Sequence, residues 1–217
     1  MKLHTFFRSS ASYRIRIALN LKQLPYEAIA VHLSKNGGEQ HSSEFQALNP
    51  QELLPVLQDE GEVFTQSLAI LEYLEERYPN PALLPDSASG RARVRALSLM
   101  IACEIHPLNN LRVLQYLSEQ LHVDAAQKNR WYQHWVGLGL AALEKRLAQD
   151  ACTGRFCHGD TPGMADCCLV PQVYNANRYK VDLAPFPTVR RIVDTCMQHE
   201  AFARAHPLRQ PGAPQAA

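Results

Sequence analysis

Three prolines close together, Pro79, Pro81 and Pro85, divide this chain of 217 residues into two stretches with different habits. Proline lacks an N–H and fixes φ, so a helix that runs into this stretch must stop there. Before the prolines, strand and helix signals alternate. Leu3 to Phe7 is a short apolar run that reads as a strand. Residues 13 to 21 are ambiguous. Tyr13, Ile15, Ile17, Leu19 and Leu21 alternate with Arg14, Arg16, Ala18 and Asn20, a period of two that favours a strand. Arg, Ala and Leu are equally strong helix formers, and Ser12 is placed to cap a helix. Glu27 to Leu33 reads as a strand. Val56 to Gln58 and Glu62 to Thr65 form two more, joined by the hairpin signal Asp59-Glu60-Gly61. Ser67 then caps a helix through Leu68, Leu71, Leu74 and Tyr78.

After the prolines strand signals almost vanish. Residues 90 to 121 are rich in Ala, Leu and Arg, and Trp131, Trp135, Leu138 and Ala142 recur at helical spacing. Asp166 to Asn177 and Val189 to Phe202 also read as helices. Residues 209 to 217 carry Pro, Gln and Ala with no core pattern, which predicts a flexible tail. The outline is a mixed α/β domain over residues 1–82 followed by an all-helical domain over 88–208.

Composition narrows the function. Hydrophobic residues make up 46% and charged residues 20%, as in an ordinary globular protein. A net charge of +1 gives no electrostatic case for nucleic acid or an anionic membrane as partner. No apolar run reaches the length of a membrane span. Arg8, Arg14 and Arg16 interrupt the N-terminal region where a secretory signal would need an apolar core, so the cytoplasm is the expected compartment. Six cysteines (Cys103, Cys152, Cys157, Cys167, Cys168 and Cys196) have neither C-x-x-C nor zinc-site spacing. Free buried thiols and no metal site are expected.

Three segments of the first domain can carry chemistry. Arg8-Ser9-Ser10-Ala11-Ser12 follows a strand. If a helix comes next, its first-turn N–H groups and dipole stabilise an anion such as a thiolate beside these serines. Taken alone, serines at such a boundary are usually plain caps. Leu54-Pro55-Val56 puts a proline directly before a strand, with either isomer of the Leu54–Pro55 bond open. Gln66-Ser67 lies between a strand and a helix, where a hydroxyl and backbone N–H groups can cap the helix or capture a carboxylate.

Together these segments resemble the soluble glutathione transferases. Ser9-Ser10-Ala11-Ser12-Tyr13-Arg14-Ile15-Arg16-Ile17-Ala18-Leu19 is similar to the S-S-C-S-x-R-V-R-I-A-L signature of the zeta class. That class includes maleylacetoacetate isomerases and bacterial maleylpyruvate isomerases. Leu48-Asn49-Pro50-Gln51-Glu52-Leu53-Leu54-Pro55-Val56-Leu57, Gln66-Ser67-Leu68-Ala69-Ile70, and Ala165-Asp166 through Leu169-Val170-Pro171-Gln172-Val173 are zeta-like as well. The last continues into Asn177-Arg178-Tyr179-Lys180-Val181-Asp182-Leu183, and the likeness extends over roughly residues 1 to 205.

The resemblance implies an N-terminal thioredoxin-like glutathione-binding domain, with residues 13 to 21 helical, and a C-terminal all-helical domain contributing the substrate site. It implies that glutathione is the cofactor. Ser9 is then the hydrogen-bond partner of its sulfur, assisted by Ser10. Leu54 pairs its backbone with the cysteinyl part, with Pro55 cis. Gln66 and Ser67 hold the γ-glutamyl end. Gln51 and His106 also line the site, with Asn110 close by in the same helix as His106. Arg8 and Arg178, with Arg112 as a third, are the implied carboxylate ligands of a small dicarboxylic acid substrate, since the guanidinium fork pairs bidentately with a carboxylate. The implied reaction is glutathione-dependent cis–trans isomerisation of maleylacetoacetate or maleylpyruvate, in a homodimer. The alternatives are a zeta-class transferase on small α-halo acids and a glutathione-binding protein without catalysis. Three positions depart from the pattern. Ala11 replaces the signature's cysteine. Leu111 stands where some maleylpyruvate isomerases carry arginine, which weighs against so charged a substrate. Gly163 takes the place of the usual Ser or Thr cap before Met164-Ala165-Asp166.

Overall fold

A computed structural model describes residues 1–214, with only the backbone of Asn36. In chain order the elements are β1 (Lys2–Thr5), α1 (Ser10–Leu21), β2 (Glu27–Ala30), α2 (Ser43–Leu48), β3 (Val56–Asp59), β4 (Glu62–Thr65) and α3 (Ser67–Arg77), then α4 (Ala88–Leu99), α5 (Leu111–Glu119), α6 (Ala125–Gln149), α7 (Met164–Arg178), α8 (Pro187–Met197) and α9 (Glu200–Ala205). They form two compact units. One holds residues 1–83 together with the segment from Met197 onward; the other holds residues 84–196.

The first unit is built on a four-stranded sheet in the order β2-β1-β3-β4. β1 pairs parallel with β2 and antiparallel with β3, and β3 pairs antiparallel with β4. This is the thioredoxin-like arrangement expected from the sequence. Glu60 and Gly61 both take positive φ (50° and 88°) between Asp59 and Glu62, which are paired, so the β3–β4 hairpin turns on two residues.

The ambiguous stretch is helix α1. Every residue from Ser10 to Leu21 except Asn20 is buried, the two arginines included. A helix buried all round has no polar face for a period to reveal, and the two-residue alternation there was accidental. Its cap is Ser9, not Ser12: Ser9 Oγ accepts from the Ser12 N–H at 3.2 Å. Ser67 is likewise not a cap but the first residue of α3, whose cap position is Gln66. β2 ends at Ala30, short of the Leu33 expected from the sequence.

Every regular element of the second unit, among the described residues, is a helix. Its core gathers Val94, Leu97, Ile101, Ile105, Tyr132, Val136, Leu140, Met164 and Val170. α4 passes into a π-helical stretch, Met100–Ile105, which ends with the His106 N–H donating to Ile101 O at 2.9 Å. Gly139 of α6 faces this stretch, and a Cβ there would collide with the Ile105 side chain.

The end of the chain differs from the expectation of one helix over 189–202 inside the helical domain. α8 stops at Met197, His199 caps α9 through Nδ1 accepting from the Ala201 N–H at 3.2 Å, and α9 packs on α1 in the first unit. Asn20 Nδ2 donates to Ala201 O at 2.9 Å, and Phe202 is fully buried. Gln210 Nε2 donates to the carbonyls of Arg204 (2.8 Å) and His206 (3.2 Å), so the segment expected as tail begins with a tied residue. Residues 215–217 of that segment lie outside the described residues.

Candidate functional site

Sheet register brings the three chemistry-bearing segments of the first unit to one place. His4 pairs with Val56, and Val56 with Thr65. The chain leaving β1 toward Arg8-Ser9-Ser10, the chain entering β3 through Leu54-Pro55 and the chain leaving β4 into Gln66-Ser67 therefore lie at one end of the sheet. The Leu54–Pro55 bond is cis.

Ser9 occupies the turn between β1 and α1, fixed by its N–H donating to Phe6 O at 3.0 Å. Its oxygen accepts from the Ser12 N–H, so the cap uses a lone pair and leaves the hydroxyl proton to donate elsewhere. Capping and thiolate stabilisation are thus compatible in one residue, at the positive end of the α1 dipole. Ser10 is the buried first residue of α1. Arg8 is exposed, and its guanidinium carbon lies 5.3 Å from the centroid of the Phe7 ring and 5.7 Å from that of Phe6.

The start of α3 is open. Gln66 sits at φ 64°, ψ 111°, and no side chain caps the first-turn N–H groups. Gln66 Nε2 donates to Gln51 Oε1 at 2.6 Å, which joins two of the sequence-predicted residues directly. Ser67 Oγ accepts from Arg14 Nη1 at 3.0 Å. Its hydroxyl proton is thereby freed for an acceptor, and the buried charge of Arg14 stands behind it. An extended ligand with a thiol at one end and a carboxylate at the other fits this donor set: a spare hydroxyl proton at Ser9, another at Ser67, and uncapped N–H groups on α3.

Sequence reasoning gave Arg14 and Arg16 no part in the site. Both are buried, at 2% and 0% exposure. Arg16 reaches under the β1–α1 turn, with Nη2 donating to Phe7 O at 3.0 Å and Nη1 to Thr5 Oγ1 at 2.9 Å. The available signal was two arginines inside a run otherwise apolar enough to be core.

His106, Asn110, Arg112 and Arg178 belong to the helical unit. His106 and Asn110 do not share a helix. After the π-helical stretch the chain makes a 3-10 turn over Pro107–Asn109, and Asn110 caps α5, its Oδ1 accepting from the Arg112 N–H at 3.2 Å. Pro107 cannot supply the N–H that a continuous helix would need. A π-helical stretch directly before His106 is a common feature of functional positions. Arg112 is exposed on the first turn of α5. Arg178, exposed at the end of α7, has Nη1 at 3.3 Å from Asn175 Oδ1 and its guanidinium over the Tyr179 ring.

The departures have plain structural readings. Ala11 is buried in α1. Leu111 is 42% exposed at the start of α5. Gly163 caps α7 with no side chain, and Asp166 compensates: Oδ2 accepts from the Gly163 N–H and Oδ1 from the Cys157 N–H, both at 2.9 Å. Of the six free cysteines, Cys103 and Cys152 are exposed, against the expectation of buried thiols. Among the described residues no helix is long and apolar enough to cross a membrane.

Models of the N-terminal and C-terminal domains of glutathione S-transferases match residues 3–82 and 137–205. The chain belongs to the glutathione S-transferase family. A probable maleylacetoacetate isomerase of Vibrio cholerae is 52% identical over 211 residues, 97% of each chain. A maleylpyruvate isomerase of Ralstonia is 51% identical over 97% of this chain and 99% of its own length. The holo structure of a maleylpyruvate isomerase, a bacterial zeta-class enzyme, superposes with a TM-score of 0.96 at 50% identity, over 99% of this chain and 100% of the other. Maleylacetoacetate isomerase from Methylobacterium extorquens AM1, solved with bound malonate and glutathione, matches with a TM-score of 0.94 at 43% identity, over 99% and 100%. Within the family, the chain is of the zeta class.

Proposed function

We propose that this chain is a glutathione-dependent cis–trans isomerase that converts maleylacetoacetate, or maleylpyruvate, to its fumaryl isomer. The observation that carries the reading is the convergence, at one end of one sheet, of a serine with a proton to spare and a helix start left open. Relatives named for these two isomerisations, about half identical over nearly the whole chain, support it. Bound glutathione supplies a thiol that adds reversibly to the double bond, so that rotation about the resulting single bond precedes its release.

The chain's own residues bind and orient. Ser9 donates its hydroxyl proton to the sulfur and, with the α1 dipole, favours the thiolate; Ser10 assists. The backbone of Leu54, before Pro55, pairs with the cysteinyl part. Gln51, Gln66 and Ser67 hold the γ-glutamyl end, where the open N–H groups of α3 meet its carboxylate. His106 and Asn110 line the same cofactor. Arg8, Arg112 and Arg178 grip the carboxylates of the substrate, and their charge stabilises the enolate that addition creates. The malonate in the Methylobacterium relative is a dicarboxylate of this kind. The proposal extends to a homodimer in the cytoplasm, checked by light scattering and by cell fractionation.

The test is a spectrophotometric assay of both diacids with and without glutathione. Isomerisation of at least one, dependent on glutathione, is the expected result. Equal rates in the absence of glutathione, or no turnover of either diacid, would overturn the reading.

A further inference from the structure

Arg16 has no assigned part in this chemistry, yet it is the best-connected charged side chain near it. It is fully buried. Nη2 donates to Phe7 O at 3.0 Å, and Nη1 to Thr5 Oγ1 at 2.9 Å and to Phe6 O at 3.4 Å. The Phe6 carbonyl also receives the Ser9 N–H. One guanidinium therefore holds both carbonyls of the dipeptide leading into Arg8-Ser9. Its Nε donates in another direction, to Ala205 O at 3.2 Å, at the end of α9. All these groups lie in the same unit. The charge of Arg16 is felt nearby: His206 is pushed below its ordinary value, chiefly by burial, with Arg209 and Arg16 adding to the effect.

We infer that Arg16 is a positioning residue for the thiol-activating serine, and that α9, the last helix of the chain, is the abutment that steadies it. This rests on the role proposed for Ser9. The physical case has two parts. A planar fork donating to two successive carbonyls fixes the path of the turn in a way a single donor cannot. A fully buried cation beneath the N-terminus of α1 also adds positive potential where the helix dipole already favours a thiolate. The C-terminal segment supplies carbonyl acceptors to both the guanidinium and Asn20.

The test uses the full-length protein with glutathione, comparing Arg16→Lys, Thr5→Val and Asn20→Ala with the unaltered chain. Four quantities are measured: the pKa of bound glutathione from its ultraviolet thiolate band, kcat, KM and Tm. Arg16→Lys keeps the charge and loses the fork. Thr5→Val removes one acceptor and leaves the guanidinium itself intact. Asn20→Ala loosens α9 without touching Arg16. Arg16→Lys is expected to raise the bound thiol pKa by about one unit and to lower kcat about tenfold, since small misplacements of reacting groups cost that much or more. Thr5→Val should move both in the same direction by less. Asn20→Ala, by loosening the α9 abutment, should lower Tm and move the thiol pKa and kcat in the same direction by less than Thr5→Val; a loss of Tm with both unchanged would remove α9 from the inference. If Arg16→Lys and Thr5→Val change Tm but not the thiol pKa or kcat, Arg16 is only structural and the inference fails. If Arg16→Lys does not fold, Thr5→Val decides by the same criterion. An unaltered protein showing no bound thiolate would instead overturn the role of Ser9, and this inference with it.

Discussion

The starts of α1 and α3 lie at the same end of one sheet, and they are built in opposite ways. At α1 the cap residue closes the helix with its own side chain: Ser9 Oγ takes the Ser12 N–H. At α3 the cap position is Gln66, at a positive φ, and no side chain takes the first-turn N–H groups. A third start, that of α7 in the helical unit, shows what sealing for stability alone looks like, with Asp166 reaching back to Gly163. The comparison separates two tasks. The closed start offers one directed proton and a dipole, suited to a single atom whose charge changes during reaction. The open start offers several N–H groups, suited to a permanent carboxylate that must only be held.

That division is broken most sharply at Ser9. Removing one preorganised donor to a developing charge costs roughly 10²- to 10³-fold in kcat. Ser9→Ala should lose turnover on that scale while glutathione affinity, measured calorimetrically, stays nearly unchanged. Equal turnover would defeat the assignment. Some loss of Tm is also expected, since removing an N-cap serine costs about 1 kcal/mol.

Ser67 should behave in the reverse way. A hydrogen bond to a charged group contributes about 1.5–3 kcal/mol, so Ser67→Ala should weaken glutathione binding roughly tenfold or more. Turnover at saturating glutathione should be largely retained. A fall in kcat with unchanged affinity would put Ser67 in the class of Ser9 and dissolve the comparison.

Arg178 extends the same logic to the substrate. Arg178→Ala should raise KM for dicarboxylates by about tenfold through loss of a charge-assisted pair, and leave a monocarboxylate nearly unaffected. If both acids suffer alike, the residue is not a ligand of the second carboxylate.

Much of this site was legible because its residue types are explained by chemistry local in sequence. A serine after a strand, a proline before one and a Gln-Ser pair after another are visible without a fold. What was not visible was which atom does what. Ser12 and Ser67 both qualified as caps by residue type, but a cap is defined by the residue that leaves the helical φ/ψ region, and that lay three residues earlier in one case and one in the other. Arg14 and Arg16 were given no part in the site, because a buried arginine is rare unless its donors are satisfied, and some of the acceptors that satisfy them, Ser67 and Ala205, lie far along the chain. The same distance hid the place of α9. Its own pattern marks it as a helix and says nothing of which unit supplies the donors for its carbonyls.

Gln66 is where the open start should show what it costs the fold. At φ 64°, ψ 111° a residue with a Cβ is strained, by roughly 1–3 kcal/mol. Glycine carries no such penalty, although it brings more chain entropy to the unfolded state. Gln66→Gly should therefore stabilise the protein by about 1 kcal/mol net, a Tm increase of roughly 2–4 °C for a chain of this size. The same change deletes the hydrogen bond to Gln51 and a contact to the γ-glutamyl end, so glutathione affinity should fall several-fold. A variant more stable and weaker in binding would mark the Gln66 conformation as strain kept for the ligand. One that binds equally well would show that the backbone of α3 holds the carboxylate without help from this side chain. That outcome would leave the contrast between the two helix starts intact and move it entirely into the main chain.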